Sequence, residues 1–170
     1  MGILVKQTEQ EYSEEDLQKA RQEYDEEDYY DNKLEQGVEF QDVVTEALYQ
    51  RGIVVVAYSS RRNQAEKGEN MLGAEIKRDG KFRETGNLYI ETSEKSHPDN
   101  PFFVPSGIFR GDNSWLFVIG DEQTIYIFST KYLQKLFNLK RYVEICKPTS
   151  QGFLMPMPEV ENYCIRRIDL

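Results

Sequence analysis

Two short stretches of the chain place charged side chains two residues apart. In LGAEIKRD these are Glu75, Lys77 and Asp79; in NLYIETSEK they are Glu91, Ser93 and Lys95. Side chains at i, i+2 and i+4 of a strand share one face, so each stretch presents a charged row. If the two strands pair, two carboxylates come within reach of one cation. Oxygen ligands of this kind select hard ions such as Mg²⁺ or Mn²⁺. A nearby lysine can orient a water or offset charge developing on a phosphate. The chemistry open to such a group is metal-assisted hydrolysis of a phosphodiester. One such triplet alone is more often an ordinary solvent-facing strand. Two rows in succession, behind a helix and an apolar run, carry more weight than either alone.

The elements that must position these rows are legible around them. In GVEFQDVVTEALYQRG, residues Phe40, Val43, Val44, Ala47 and Leu48 recur with helical spacing, and Gly52 can end the helix. IVVVAYSS is a β-branched run without polar alternation, which predicts a strand buried on both faces. RRNQAEKGEN reads as a polar loop, and SHPDNPFFVPSG as a loop with three prolines. SWLFVIGDEQTIYIFST predicts two apolar strands turning at GDEQ, and KYLQKLFN a short amphipathic helix. The order predicts an α/β domain around a mixed central sheet flanked by helices. We divide the chain into an acidic helical arm at 1–36, a core at 37–147 and an extended tail at 148–170.

Charge is distributed unevenly. The 170 residues carry a formal net charge of −9. Residues 1–36 hold 12 acidic against 4 basic side chains, a net −8, and residues 37–170 hold 18 against 17, a net −1. The body is nearly neutral, so the whole-chain charge does not argue against an anionic partner. The thin apolar content of the arm predicts a solvated helix, with a homodimer contact, a protein partner or a cover over a basic cleft as further roles.

Several classes are excluded or made improbable by composition. Cys146 and Cys164 have no zinc-ligand spacing and His97 is the single histidine, which argues against a Cys/His zinc site and a histidine-activated hydrolase. No apolar run approaches the length of a membrane span. MGILVKQTEQ lacks the pattern of a signal peptide, so a cytoplasmic protein with reduced thiols and no membrane contact is expected.

The chain resembles the PD-(D/E)XK, or restriction-endonuclease-like, nuclease superfamily over roughly residues 37–137. FQDVVTEALYQRG resembles the family's first helix, LGAEIKRD its second strand and NLYIETSEK its third. PSGIFRGDNSWLFVIGDEQTIYIFSTKYLQKL resembles a stretch found in phage-type members. The resemblance implies a restriction-endonuclease-like fold and a Mg²⁺- or Mn²⁺-dependent nuclease acting on nucleic acid, DNA first. It implies Glu75 and Glu91 as metal ligands. Gln41 stands where the family often has a glutamate, and its carbonyl offers a weaker contact. Ser93 stands where the motif lysine is expected, so the lysine role passes to Lys95 or to Lys77. A second register takes Glu75 and Lys77 as the acid-x-lysine, with Glu69 upstream. The departures at Gln41 and Ser93 leave open a nuclease-fold protein that binds without cleaving. Arg61, Arg62, Lys67, Arg78, Lys81 and Arg83 lie close in sequence and are candidate phosphate contacts. Solubilising surface is an equally good reading of them.

Overall fold

Residues 13–25 and 29–170 are described by a computed structural model of the chain. Two polar-faced helices come first, α1 (Glu14–Asp25) and α2 (Tyr29–Tyr49), and α3 (Arg61–Lys67) follows an irregular extended segment. Next are β1 (Ala74–Arg78), the single-turn α4 (Phe82–Thr85), β2 (Asn87–Glu94) and the two-residue β3 (Val104–Pro105). A 3-10 turn at Gly107–Phe109 leads to β4 (Leu116–Gly120), β5 (Thr124–Ser129) and α5 (Thr130–Asn138). The chain closes with β6 (Glu144–Cys146), β7 (Ser150–Pro156), α6 (Met157–Tyr163) and β8 (Arg166–Asp169). Among the described residues, no helix is long and apolar enough to cross a membrane.

The mixed α/β class expected from the element order is present, but with two four-stranded sheets. One runs β1-β4-β5-β8 and is mixed, because β1 pairs parallel with β4 while β4, β5 and β8 pair antiparallel. The other runs β3-β2-β7-β6 and is antiparallel throughout. Alternation divides the mixed sheet between two cores. Ala74, Ile76, Val118, Ile125, Ile127 and Ile168 pack against Phe40, Val44 and Leu48 of α2. Phe117, Ile119, Tyr126 and Phe128 pack with Leu88, Ile90, Phe153 and Met155 of the second sheet, and with Leu133, Leu136 and Val160. The layers are therefore α2, mixed sheet and antiparallel sheet.

Several expectations are revised. The two charged strands do not pair: β1 is an edge of the mixed sheet, and β2 lies inside the other. Between them α4 interrupts the turn with buried Phe82 and ends at Gly86 in the left-handed region, which re-aims the chain before β2. The IVVVA run forms no named strand, having only the isolated bridge Ala57↔Asn70. Ile53 and Val55 pack on the α2 core, while Val54 and Val56 are 63% and 47% exposed. One apolar layer is available to it, so it buries alternate residues and not both faces. Finally, RRNQAEK, expected as part of a polar loop, forms α3, while the segment drawn as a tail supplies β7, the main partner of β2, as well as α6 and β8. The boundary drawn at 36/37 falls inside α2.

Candidate functional site

Glu75 and Lys77 lie on β1, in register with Phe117 and Ile119 of the neighbouring strand. They thus occupy the side of the edge strand that faces the second sheet. Asp79, at the end of the same row, links the sheets. Its Oδ2 accepts from the Tyr89 N–H at 3.0 Å and its Oδ1 from the Lys81 N–H at 3.0 Å. Strand β2 is held beside β1 through a side chain, without ladder bonds between the strands.

That docking brings the carboxylates together. Lys77 Nζ is 3.0 Å from Glu75 Oε1 and 3.7 Å from Glu91 Oε1. The Glu75 side chain is 1% exposed, Glu91 19% and Lys77 32%. Glu75 Oε1 accepts no hydrogen bond of good geometry, so the lysine charge is its nearest compensation. Burial alone would weaken the charged form of Lys77, but Glu75 and Glu91 outweigh it and hold its pKa above the usual lysine value.

Arg110 closes the other side. Its Nη1 donates to Glu75 Oε2 at 3.2 Å and to Glu69 Oε1 at 3.0 Å. Its Nε is 2.9 Å from Asp112 Oδ2, and its Nη2 donates to the Gln64 carbonyl at 3.3 Å. Gln41 reaches the same group from α2, donating from Nε2 to Glu69 Oε2 at 3.3 Å. Burial, and next the Glu75 charge, push the Glu69 carboxyl above its ordinary value. Burial and Glu91 do the same to Glu94.

Glu91 itself is tightly framed. The β2–β7 register shifts between Glu91 and Ser93, which marks a bulge. Ser106 Oγ donates to Glu91 Oε1 at 2.5 Å. Opposite Glu91 on β7 is Gly152, where a Cβ would meet the Ile90 carbonyl oxygen at 2.3 Å. Only glycine permits that approach.

The expected residues therefore divide. Glu75, Glu91 and Lys77 converge directly, and Gln41 joins through Glu69, the upstream acid of the second register. Lys95 does not join: its Nζ stands 4.4 Å above the Phe103 ring. Ser93 is engaged with Gln151, its Oγ donating to Oε1 at 2.7 Å. Of the basic candidates, Arg62 pairs with Glu66, Arg78 with Glu122 and Arg83 with Asp121. Lys67 Nζ lies 5.8 Å above the Tyr58 ring, Lys81 is exposed at the start of α4, and the Arg61 side chain lies outside the described residues. Sequence reading missed Arg110, Asp112 and the contact made by Ser106. The signal available for them was a charged Arg-Gly-Asp following SGIF, between two apolar runs.

Among the described residues, no group of three or more His, Cys, Asp or Glu side chains is arranged to hold a metal ion. The carboxylates of the site are instead compensated by protein cations. Glu69, Glu75, Glu91 and Asp112 are four carboxylates, balanced nearby by two cations, Lys77 and Arg110. Mg²⁺ is characteristically held by one or two carboxylates with waters completing its shell, which Glu75 and Glu91 can supply. No family model, curated protein or solved structure matches the chain.

Proposed function

We propose that the chain is a divalent-metal-dependent phosphodiester hydrolase acting on nucleic acid, DNA first, with a restriction-endonuclease-like core of phage type. The observation that carries this reading is the convergence of Glu75 and Glu91, from separate sheets, on Lys77 Nζ. Structural surface pairs rarely bury a carboxylate to 1% exposure beside two cations, because desolvation opposes it. Perturbed, partly buried charged groups at a sheet edge are characteristic of sites that do chemistry.

Glu75 and Glu91 would hold Mg²⁺ or Mn²⁺, which supplies a polarised phosphate and a more acidic water. Arg110 aims Glu75 by holding its Oε2. Lys77, charged throughout the neutral range, offsets negative charge gathering on the phosphate. Gln41 steadies Glu69 at the back of the site. Lys77 fits the lysine role, because Lys95 is held over Phe103.

A second reading is favoured by one specific observation. Lys77 already lies between both carboxylates, and Ser93, at the motif-lysine position, is bonded to Gln151. A nuclease-fold protein that binds nucleic acid or protein without cleaving would show the same pairing.

Cleavage of plasmid, single-stranded DNA and RNA with Mg²⁺ or Mn²⁺, against an EDTA control, separates the two. Metal-dependent cleavage by the wild type, lost in Glu91→Ala with folding retained, is the expected result. Should the wild type cleave nothing and calorimetry detect no Mg²⁺ or Mn²⁺ binding, the binding-protein reading replaces the first.

A further inference from the structure

We propose that Ser106 is a positioning residue for Glu91, setting the direction of its carboxylate and through it the affinity of the site for a divalent cation. The inference rests on the metal-site reading above and adds to it a residue that touches neither the cation nor the substrate.

Three features of the local structure carry it. The first is the bond itself. Ser106 is 3% exposed, and its hydroxyl donates to Glu91 Oε1 at 2.5 Å. A hydroxyl on a carboxylate at this length is a charge-assisted bond, stronger and more directional than a neutral one. The second is the backbone that delivers the hydroxyl. β3 pairs with β2 through Ser93↔Pro105 and Glu94↔Val104, and the Ser106 N–H continues that pairing to the Thr92 carbonyl at 3.2 Å. Directly afterwards Gly107 turns at φ +50, pressed so closely on β2 that a Cβ would lie 2.3 Å from the Glu91 carbonyl oxygen. A side chain at 107 would be excluded both by its φ and by that backbone contact. The Ser-Gly pair is thus built to approach Glu91. The third is the bulge between Glu91 and Ser93. Bulges re-aim the side chains beside them, and a re-aimed carboxylate needs a fixed partner to hold one rotamer.

Without the hydroxyl, Lys77 becomes the only neighbour pulling on Glu91 Oε1 that the described contacts name, at 3.7 Å. The carboxylate would then lose its fixed direction and swing about the ammonium contact. Ser106 therefore balances Lys77 for the same oxygen. Loss of an outer partner of a metal-ligating carboxylate costs about 10–100-fold in metal affinity.

The test is Mn²⁺ titration by calorimetry on four full-length proteins: wild type, Ser106→Ala, Glu91→Ala and the double variant. Urea unfolding of each is measured in parallel. The expected result is at least about a tenfold loss of Mn²⁺ affinity in Ser106→Ala with the urea midpoint near wild type. In the Glu91→Ala background, removing Ser106 should change nothing further. Equal Mn²⁺ affinity in wild type and Ser106→Ala overturns the inference and leaves the metal-site reading standing. A loss of the same size in both backgrounds also overturns it, because the effect would not pass through Glu91. A Ser106→Ala protein that does not fold assigns the hydroxyl to the scaffold and overturns it too. Absence of Mn²⁺ binding by the wild type overturns the metal-site reading, and this inference with it.

Discussion

Lys77 Nζ stands 3.0 Å from the Oε1 of Glu75, a carboxylate that is 1% exposed and accepts no hydrogen bond at that oxygen. The pair sits on one strand two residues apart, so its geometry comes from the pleat, while its burial comes from the second sheet. A buried ion pair adds little against an apolar replacement, yet breaking one side strands the other charge.

Lys77→Met should therefore destabilise the fold by about 3 kcal/mol. That lies at the lower end of the range for a broken buried pair, because Arg110 still contacts Glu75 Oε2 at 3.2 Å. Adding Glu75→Gln to Lys77→Met should recover part of the loss. Urea unfolding of the two variants checks both statements. A loss within about 0.5 kcal/mol, the range of an ordinary surface change, would place the pair outside the stability of the fold.

Lys77 and Lys95 should differ in activity. Lys77→Ala is expected to lower the cleavage rate by about 10²-fold or more, the scale of one lost electrostatic contact in a transition state. Lys95→Ala should leave it within a few-fold, because Lys95 stacks on Phe103 away from both carboxylates. The readout is single-turnover cleavage with Mg²⁺, alongside a binding measurement on the same substrate. The reverse order would return the lysine role to Lys95.

Glu69 predicts a pH dependence of stability. Burial and Glu75 raise its pKa above 4.5 in the folded protein. The folded state then keeps a proton that the unfolded chain has released. Stability from this group is fully present below the unfolded value and falls as pH rises through the folded one. Glu69→Gln, neutral at every pH, should flatten that fall above pH 4.5. Urea midpoints of wild type and variant, taken from about pH 4 to about pH 7, make the comparison. Parallel curves would show that Glu69 does not titrate in this window.

Gly152→Ala should be costly although its neighbours are ordinary strand residues. The new methyl would meet the Ile90 carbonyl oxygen at 2.3 Å, a backbone atom that cannot swing aside. A loss of about 2 kcal/mol is expected, in the range of overpacked cores, together with weaker metal binding because Glu91 is the paired residue. Thermal unfolding and Mn²⁺ titration of the variant are the measurements. Wild-type values for both would mean that β2 and β7 can separate there at no cost.

Local pattern decided a good deal of this protein. The α2 stripe of Phe40, Val44 and Leu48, the apolar strands β4 and β5, and the α5 helix follow from spacings of 3.6 and 2 residues that short windows contain. The same period placed Glu75 with Lys77 on one face of a strand, because alternation is a property of the extended chain itself. The rest depended on contacts between distant segments. No local signal tells β2 to pair with β7 some sixty residues later instead of with β1, or IVVVA to leave Val54 and Val56 exposed. Those outcomes rest on which apolar surfaces meet. Nor could spacing alone choose between Lys77 and Lys95. Lys77 lies two residues from Glu75 and Lys95 four residues from Glu91 in the chain, and only the docking of two sheets carries one to Glu91 and the other to Phe103. Arg110 and Ser106 entered the site for the same reason. Side-chain chemistry is written residue by residue, but convergence is a product of long-range packing.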